Sequence, residues 1–429
     1  MTKIKPFNAV IYNQEQISNL VTVVCPPYDV ISPQEQERYQ ALNPYNLIHV
    51  LLGKDIPGAE DKYRRAENYF KEWFKNKILV RDEKPAVYFY SQQYTIKGER
   101  KIRFGFIGLL HLGDKGGPAA FCHEHTRVEP KEDRLKLLKR VKANLSPIFV
   151  IFADKKRLIQ RVLLKYIDEK KPFVDITDTE KINHKLWRID SPEILEKIQS
   201  QMKNEDIFIA DGHHRYEVAC AYRDEMMKKT EQVTGDEDFN YIMAYFTNLD
   251  PRGLTILPIH RLVNTGTPID VKGLLAKIKE DFDIIDIKDK QKFFFLMESA
   301  GKTEHALGMY ADKRYWLLRL KNIKLLNKLT GNIPAEIKSL DVTILNHIIL
   351  KNIMGLDIDD KINITFSPHP EELISSVDKN KGALAFFLNP VKAEQIIAVA
   401  LKNEKMPTKS TYFYPKVLSG LVINKHGAA

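Results

Sequence analysis

Apolar residues along this chain switch several times between helical and strand spacing, and the switches mark out its elements. Ser32-Pro33 reads as a cap followed by a first-turn proline and opens a short helix. Tyr63, Ala66, Phe70, Trp73 and Phe74 then recur at helical spacing between Glu60 and Lys77, which predicts a helix with an aromatic core face. From Ala86 to Leu112 the period drops to two on either side of Lys97-Gly98-Glu99, the signature of a hairpin. A glycine-rich loop from Gly113 to Pro118 follows.

Leu135, Leu138, Val141 and Leu145 lie on one helical face that Ser146-Pro147 ends, because a residue before proline is pushed out of the helical region. The apolar run Ile148 to Phe152 is then a buried strand. Ser191-Pro192 opens a second such unit, whose helix carries Leu195, Ile198 and Met202 and leads through Lys203 to Asp206 into the strand before Asp211. No repeat is detectable at the level of sequence. Two further strands are expected around the Pro-Arg-Gly turn at 251–253, and from Asn264 the chain becomes richer in lysine. Beyond Ile333 the pattern predicts a helix through Leu345 and Ile349, strands near Ile364 and over Ala383 to Leu388, and a helix after Pro390. These elements predict a mixed α/β (α+β) protein with segments 1–155, 156–263 and 264–429, the middle one carrying the turn after Asp211.

Composition narrows this picture. The 429 residues are 44% apolar, enough for buried cores, and the net charge of +10 comes from 66 basic and 56 acidic residues spread along the chain. A diffuse basic balance favours anionic partners such as nucleotides and leaves nucleic acid open without singling it out. Cys25, Cys122 and Cys220 are too widely separated for a disulfide framework or a paired zinc knuckle, which makes a reducing cytoplasm the expected location. The N-terminal residues show no apolar signal-peptide core, and no stretch approaches bilayer-spanning length, so no membrane partner is expected. Oligomeric state has no signature.

The chemistry gathers at Ile207 to Met227, where a short strand breaks at Asp211-Gly212 into His213, His214, Arg215 and a helix. Gly212 can take the angles of a sharp strand-to-helix turn. The first amides of the helix lack partners inside it and carry partial positive charge. Phosphate held there would meet those amides, the Arg215 fork and one or both imidazoles. Asp211 is out of place in such a site unless it caps the helix or holds a cation, for which Mg²⁺ is the candidate. Asp-Gly is also an ordinary turn.

Other candidates are scattered. In His123-Glu124-His125-Thr126 the histidines lack the spacing that puts two imidazoles on one helical face. Glu124 could accept a proton from a substrate hydroxyl, with Arg127 or Arg134 binding carboxylate or phosphate, or the run could be structural. Asp29 follows the stiff Pro26-Pro27 pair and is either a presented carboxylate or a turn cap. Lys409 and Ser410, with Thr411, could bring a cation and hydroxyls to an anion or lead into a buried strand. Gly301-Lys302-Thr303 looks like the end of a phosphate loop, but Leu296 stands where the loop needs glycine. Neither GxGxxG after a strand nor GxSxG occurs.

Several blocks carry a family likeness: Pro26-Pro27-Tyr28-Asp29-Val30, His123-Glu124-His125-Thr126 with Asp133-Arg134, Ser146-Pro147-Ile148-Phe149, Ala210 to Tyr216, Pro258-Ile259-His260-Arg261 and Lys409 to Lys416. Together they resemble family 1015 of the uncharacterised domains of unknown function, often labelled ParB-like (Spo0J-like). The Asp-Gly-His-His-Arg block is also similar to the ParB/sulfiredoxin fold, a group that includes free-serine kinases, in which this turn binds nucleotide phosphates. The resemblance implies a ParB/sulfiredoxin-like core elaborated by large N- and C-terminal α/β segments, although the insertion between Ile148 and Asp211 is longer than a compact core implies.

The first functional reading is therefore a phosphotransferase that uses a nucleoside tri- or diphosphate with Mg²⁺ on a small hydroxylated metabolite. Gly212, His213, His214 and Arg215 would bind phosphate. Glu124, Asp211 and His214 would serve the chemistry, and Asp29, His123, Arg127, Lys409 and Ser410 the acceptor. The alternative is a non-catalytic, ParB-like nucleotide-binding or DNA-associated regulator, for which Lys136 to Lys142 is the basic stretch that could be proposed and also an ordinary solvated helix face. Phosphate-ester hydrolysis would use the same residues with water as acceptor.

Overall fold

A computed structural model describes residues 1–113, 120–124, 128–154, 156–168, 170–329, 333–356 and 363–427. The chain is mixed α/β and packs as two compact units. One comprises residues 1–122, 126–255 and 415–429, the other residues 123–125 and 256–414. Among the described residues no helix is long and apolar enough to cross a membrane.

The first unit is built on an eight-stranded sheet. Its spatial order is Phe208–Asp211, Ile148–Phe152, Tyr241–Asn248, Glu99–His111, Val87–Ile96, Asn183–Ile189 and Val174–Thr177, with Ile4–Lys5 also pairing Glu99–His111. Ile148–Phe152 and Tyr241–Asn248 run parallel, while the other pairs on this path are antiparallel. The expected hairpin turns at Lys97 and Gly98, both with positive φ.

Both faces of the central strands are buried, which is why Ile148–Phe152 reads as a continuous apolar run. On one face Ile148, Val150, Ile242, Ala244, Phe246, Phe89 and Phe106 pack with Ile159 and Leu163 of the helix Leu158–Ile167 and with Ile198 and Met202 of the helix Pro192–Met202. The other face is aromatic and polar. There Tyr245 packs edge-on against Tyr90 and Phe149 at 5.3 and 5.4 Å, and Tyr90 Oη lies 2.6 Å from His184 Nδ1.

Helix starts follow their caps. Ser32 and Glu35 form a reciprocal capping box at Pro33–Leu42, and Asp61 caps Lys62–Lys75. The helix expected to reach Leu145 spans Val128–Val141 and stops short, because Lys142 turns left-handed (φ 52°) and Ala143–Asn144 pairs instead with Asn424–Lys425. The segment around the Pro-Arg-Gly turn gives three strands rather than two: Tyr241–Asn248, Thr255–Leu257 and His260–Asn264. A proline at 258, which cannot donate to a ladder, separates the last two.

The second unit holds a six-stranded antiparallel sheet in the order Phe282–Ile287, Arg314–Leu320, Ala306–Ala311, Ala383–Phe387, His260–Asn264 and Ile364–Ser367. Phe293 and Met297 from the helix Lys290–Ala300 and Leu373 and Val377 from the helix Pro370–Lys379 pack on one of its faces.

His260 in this sheet is 3% exposed and accepts from the Leu388 amide at Nδ1 (3.2 Å). Burial, helped by the charges of Arg261 and His369, lowers its pKa to about 3. The ring is neutral in the fold and binds a proton near pH 6.5 once unfolded. Its contribution to stability is therefore complete above about pH 6.5 and is lost as the pH falls from there toward 3. Urea titrations read through Trp316 should give a lower midpoint at pH 5 than at pH 7. His260→Asn should flatten that dependence, and an unchanged slope in the variant would refute the assignment.

Candidate functional site

The strand Phe208–Asp211 lies at the edge of the first sheet, antiparallel to Ile148–Phe152. Phe208 pairs with Ile151 and Ile209 with Val150, but the register then slips, so that Asp211 rather than Ala210 faces Phe149. Strict alternation would place Asp211 on the face of Ile209, inside the aliphatic core. The extra residue turns it to the Phe149 face instead, a common use of a β-bulge.

Gly212 follows with φ 91°, and the helix His213–Lys229 begins at once with no side chain capping it. The cap position itself is Gly212, which has no side chain to offer, and the Asp211 carboxylate is bonded by the side chains of Arg215 and Lys416. The Arg215 side chain folds back over this turn, its guanidinium 3.0 Å from where a Cβ on Gly212 would stand. Its Nη2 donates to Asp211 Oδ2 at 2.7 Å and its Nη1 to the Pro147 carbonyl, while Nε is buried without a hydrogen-bond partner.

The second oxygen of Asp211, Oδ1, accepts from Lys416 Nζ. One carboxylate is thus held between two cations, a triad with one net positive charge, and the three side chains are only 11–13% exposed. Burial by itself pushes the Asp211 carboxyl up. The charges of Lys416 and Arg215, the hydrogen bond from Lys416 and the charge of His213 more than reverse this and hold it well below the usual carboxylate range. His213 is buried, and His214 is half-buried.

More charge lies close by. Tyr28 is pushed up to about 12 by burial and by Asp29, against the charges of Arg215 and Arg134. The Arg134 guanidinium lies 4.4 Å from the centre of the Tyr28 ring, donates to Asp133 Oδ2 (2.8 Å) and reaches the Leu51 carbonyl (2.6 Å). Asp29 is exposed. The floor of the site is held by Arg103, 1% exposed, which overlies Phe149 at 4.5 Å and donates to Gln92 Oε1 and to the Pro415 carbonyl. Gln92 in turn donates to the Lys416 carbonyl at 2.9 Å. Two buried side chains therefore grip the backbone that delivers Lys416.

The corner is more closed than a simple cradle, because its own carboxylate already occupies the cations. An anion entering here would have to compete with Asp211 for Arg215 and Lys416. The same arrangement does not fit Asp211 as a magnesium ligand, since both of its oxygens accept from cations that would repel the metal.

His123, Glu124, Lys409 and Ser410 fall in the second unit. There the Thr411 hydroxyl donates to Glu124 Oε1 (3.1 Å) and lies 3.5 Å from His123 Nε2, and the Met406 amide donates to the His123 carbonyl at 2.7 Å. The histidine and the glutamate thus share one hydroxyl. Lys409 is exposed, and its carbonyl accepts from Arg261 Nη2 at 3.0 Å, while buried Ser410 donates to the Pro407 carbonyl. Arg127, with His125 and Thr126, lies outside the described residues.

The lysine that meets Asp211 is Lys416, seven positions after the one the sequence singles out. Its signal was present, since it ends the aromatic block Tyr412-Phe413-Tyr414-Pro415, but a lone lysine has no periodicity to mark it. Arg103 and Gln92 carry no sequence signal beyond polar residues inside a strand.

Residues 4–343 match the family described as "Protein of unknown function (DUF1015)". No curated protein matches. Solved structures that resemble the chain include "Free serine kinase in complex with AMP", at 12% identity over 68% of this chain and 83% of that one with a TM-score of 0.32. "SbnI with C-terminal truncation from Staphylococcus aureus" is 11% identical over 73% and 85%, with a TM-score of 0.35. A "Conserved hypothetical protein from Pyrococcus furiosus" is 12% identical over 70% and 88%, with a TM-score of 0.30. At these scores the likenesses carry no argument about activity.

Proposed function

The chain belongs to the DUF1015 family, whose description names no activity, and from its own geometry we propose that it is a nucleotide-dependent phosphotransferase acting on a small hydroxylated metabolite. The observation that carries this reading is that Arg215 and Lys416 share a single buried carboxylate beside the helix start after Gly212. Phosphoryl transfer asks chiefly for positioning and for neutralisation of charge on the moving group. Arg215, Lys416 and the first-turn amides supply both, with His213 and His214 adding donors, and Asp211 keeps the two cations in place until phosphate arrives.

In the reaction the acceptor oxygen bonds to the terminal phosphorus while the bond from that phosphorus to its bridging oxygen breaks. The shortened nucleotide leaves, and the hydroxyl proton passes to a carboxylate. In this reading that carboxylate is Asp29, exposed in the same unit and next in the chain to Tyr28, whose hydroxyl feels the charges of Arg215, Arg134 and Asp211. Asp29→Asn should abolish turnover while leaving nucleotide affinity intact, and unchanged turnover would refute the assignment. Both Asp211 oxygens are taken up by cations, so in this reading Asp211 orders the phosphate donors and holds no metal.

Titration calorimetry with ATP, ADP and CTP tests the binding step. The intact protein should bind at least one of them, and Arg215→Ala should bind it about a hundredfold more weakly, the loss expected for a charge-assisted pair. Phosphorus NMR with pooled hydroxylated metabolites should then show a new ester. No nucleotide binding by the intact protein would end the proposal. Binding without any new ester would favour the ParB-like nucleotide-binding or DNA-associated regulator.

A further inference from the structure

We propose that the second unit carries a separate site for the phosphate group of a small ester, in a cavity of about 200 Å³ whose walls include Lys302, Thr303, His305, Asp341, Asn389 and Lys392. Gly301-Lys302-Thr303, excluded as a phosphate loop by its missing glycine, stands on this wall as the turn that closes the helix Lys290–Ala300. The amides of residues 302–304 are spent on that turn, bonding to carbonyls of Ser299 and Ala300. What the triplet offers the cavity is therefore the lysine ammonium and the threonine hydroxyl.

The charges do not balance. Glu304, also on the wall, is paired with Arg319 at 2.8 Å, and Asp341 accepts from His305 Nδ1 at 2.9 Å. Among the described residues neither Lys302 nor Lys392 forms an ion pair; Lys392 Nζ donates to the Lys302 carbonyl at 3.5 Å and its charge acts on Asp341, so the wall sets two ammonium groups against the one Asp341 carboxyl. Burial raises the Asp341 carboxyl, against the hydrogen bonds from His305 and Asn389 and the charges of His305 and Lys392. The pairing with His305 fixes the imidazole through Nδ1 and leaves Nε2 for a ligand.

Asn389 is placed by its bond to the Ala306 carbonyl (2.9 Å), in space that the bare Cα of Gly301 leaves for it. Lys392 also begins the helix Ala393–Leu401, whose first-turn amides add to the positive end. Donors arriving from three elements suit a tetrahedral phosphate better than a planar carboxylate. The volume lies below the roughly 300–1,000 Å³ of pockets for larger ligands, which excludes a nucleotide and admits a phosphate on a body of a few atoms.

The test uses the full chain labelled with ¹⁵N at histidine, with inorganic phosphate as the probe. His305→Gln assigns the His305 signal. Phosphate should shift that signal saturably, and Lys302→Gln and Lys392→Gln, both at exposed positions, should each weaken the response about tenfold. Arg215→Ala should leave it unchanged, which separates this site from the one in the first unit. A His305 signal that phosphate does not move in the folded wild type, or one that moves with equal affinity in the double glutamine variant, would overturn the proposal.

Discussion

Asp211→Asn should cost about 3–5 kcal/mol of stability in phosphate-free buffer, the usual penalty for removing one partner of a buried ionic cluster. The amide can accept from one cation but turns its own donors toward the other, so Arg215 or Lys416 is left buried without a counter-charge. The pH dependence gives a second readout. The folded pKa of Asp211 is depressed, so its stabilisation is present above the ordinary aspartate value near 3.9 and drains away as the pH falls below it. The variant should lack that share of the acid loss. Phosphate should raise the melting temperature of the variant more than that of the wild type, because an added anion supplies the missing charge. Denaturation curves with and without phosphate measure both effects, and equal phosphate responses in the two proteins would show that the corner is only a structural ion cluster.

Arg103→Met is expected to be the second large effect, combining a loss of about 3 kcal/mol in stability with weaker nucleotide binding. Removing the guanidinium strips donors from the Pro415 carbonyl and from Gln92 Oε1, and unsatisfied buried acceptors cost about 1–3 kcal/mol each. It also releases the backbone that carries Lys416 to Asp211. Arg103→Lys should not restore either property, since one ammonium cannot reproduce the planar fork that spans two acceptors and stacks on Phe149. Urea titration paired with calorimetry decides the matter. A variant that loses stability yet binds nucleotide at wild-type strength would mean that Lys416 does not depend on this grip.

Much of the local architecture was legible along the chain. Ile148–Phe152 announces itself because a strand covered on both faces needs apolar residues at every position. Ser32, Pro33 and Glu35 announce a helix start because each satisfies or avoids a backbone donor that the helix leaves open. Gly212 was readable for a similar reason, as the turn from strand to helix demands a conformation that a side chain resists. The stretch through Leu345 and Ile349 reads as an ordinary helix. The chain instead passes from Asp341–Ile344 into a wider π-helical segment over Leu345–Ile353, a difference that apolar spacing does not resolve.

Spacing and capping thus settle where the strand before the site ends, where the helix after it begins and which polar groups stand at that junction, because each depends on neighbours within a few positions. They leave open which way Asp211 points. A single bulged residue reverses the face, and the bulge exists because Phe208–Asp211 must register against Ile148–Phe152. They are equally silent about Lys416, which the return of the last fifteen residues to the first unit brings to Asp211, held there by Arg103 and Gln92 from a hairpin more than three hundred positions away. Pairing across that distance reflects the closing of a common core, and no property of either segment read alone encodes it.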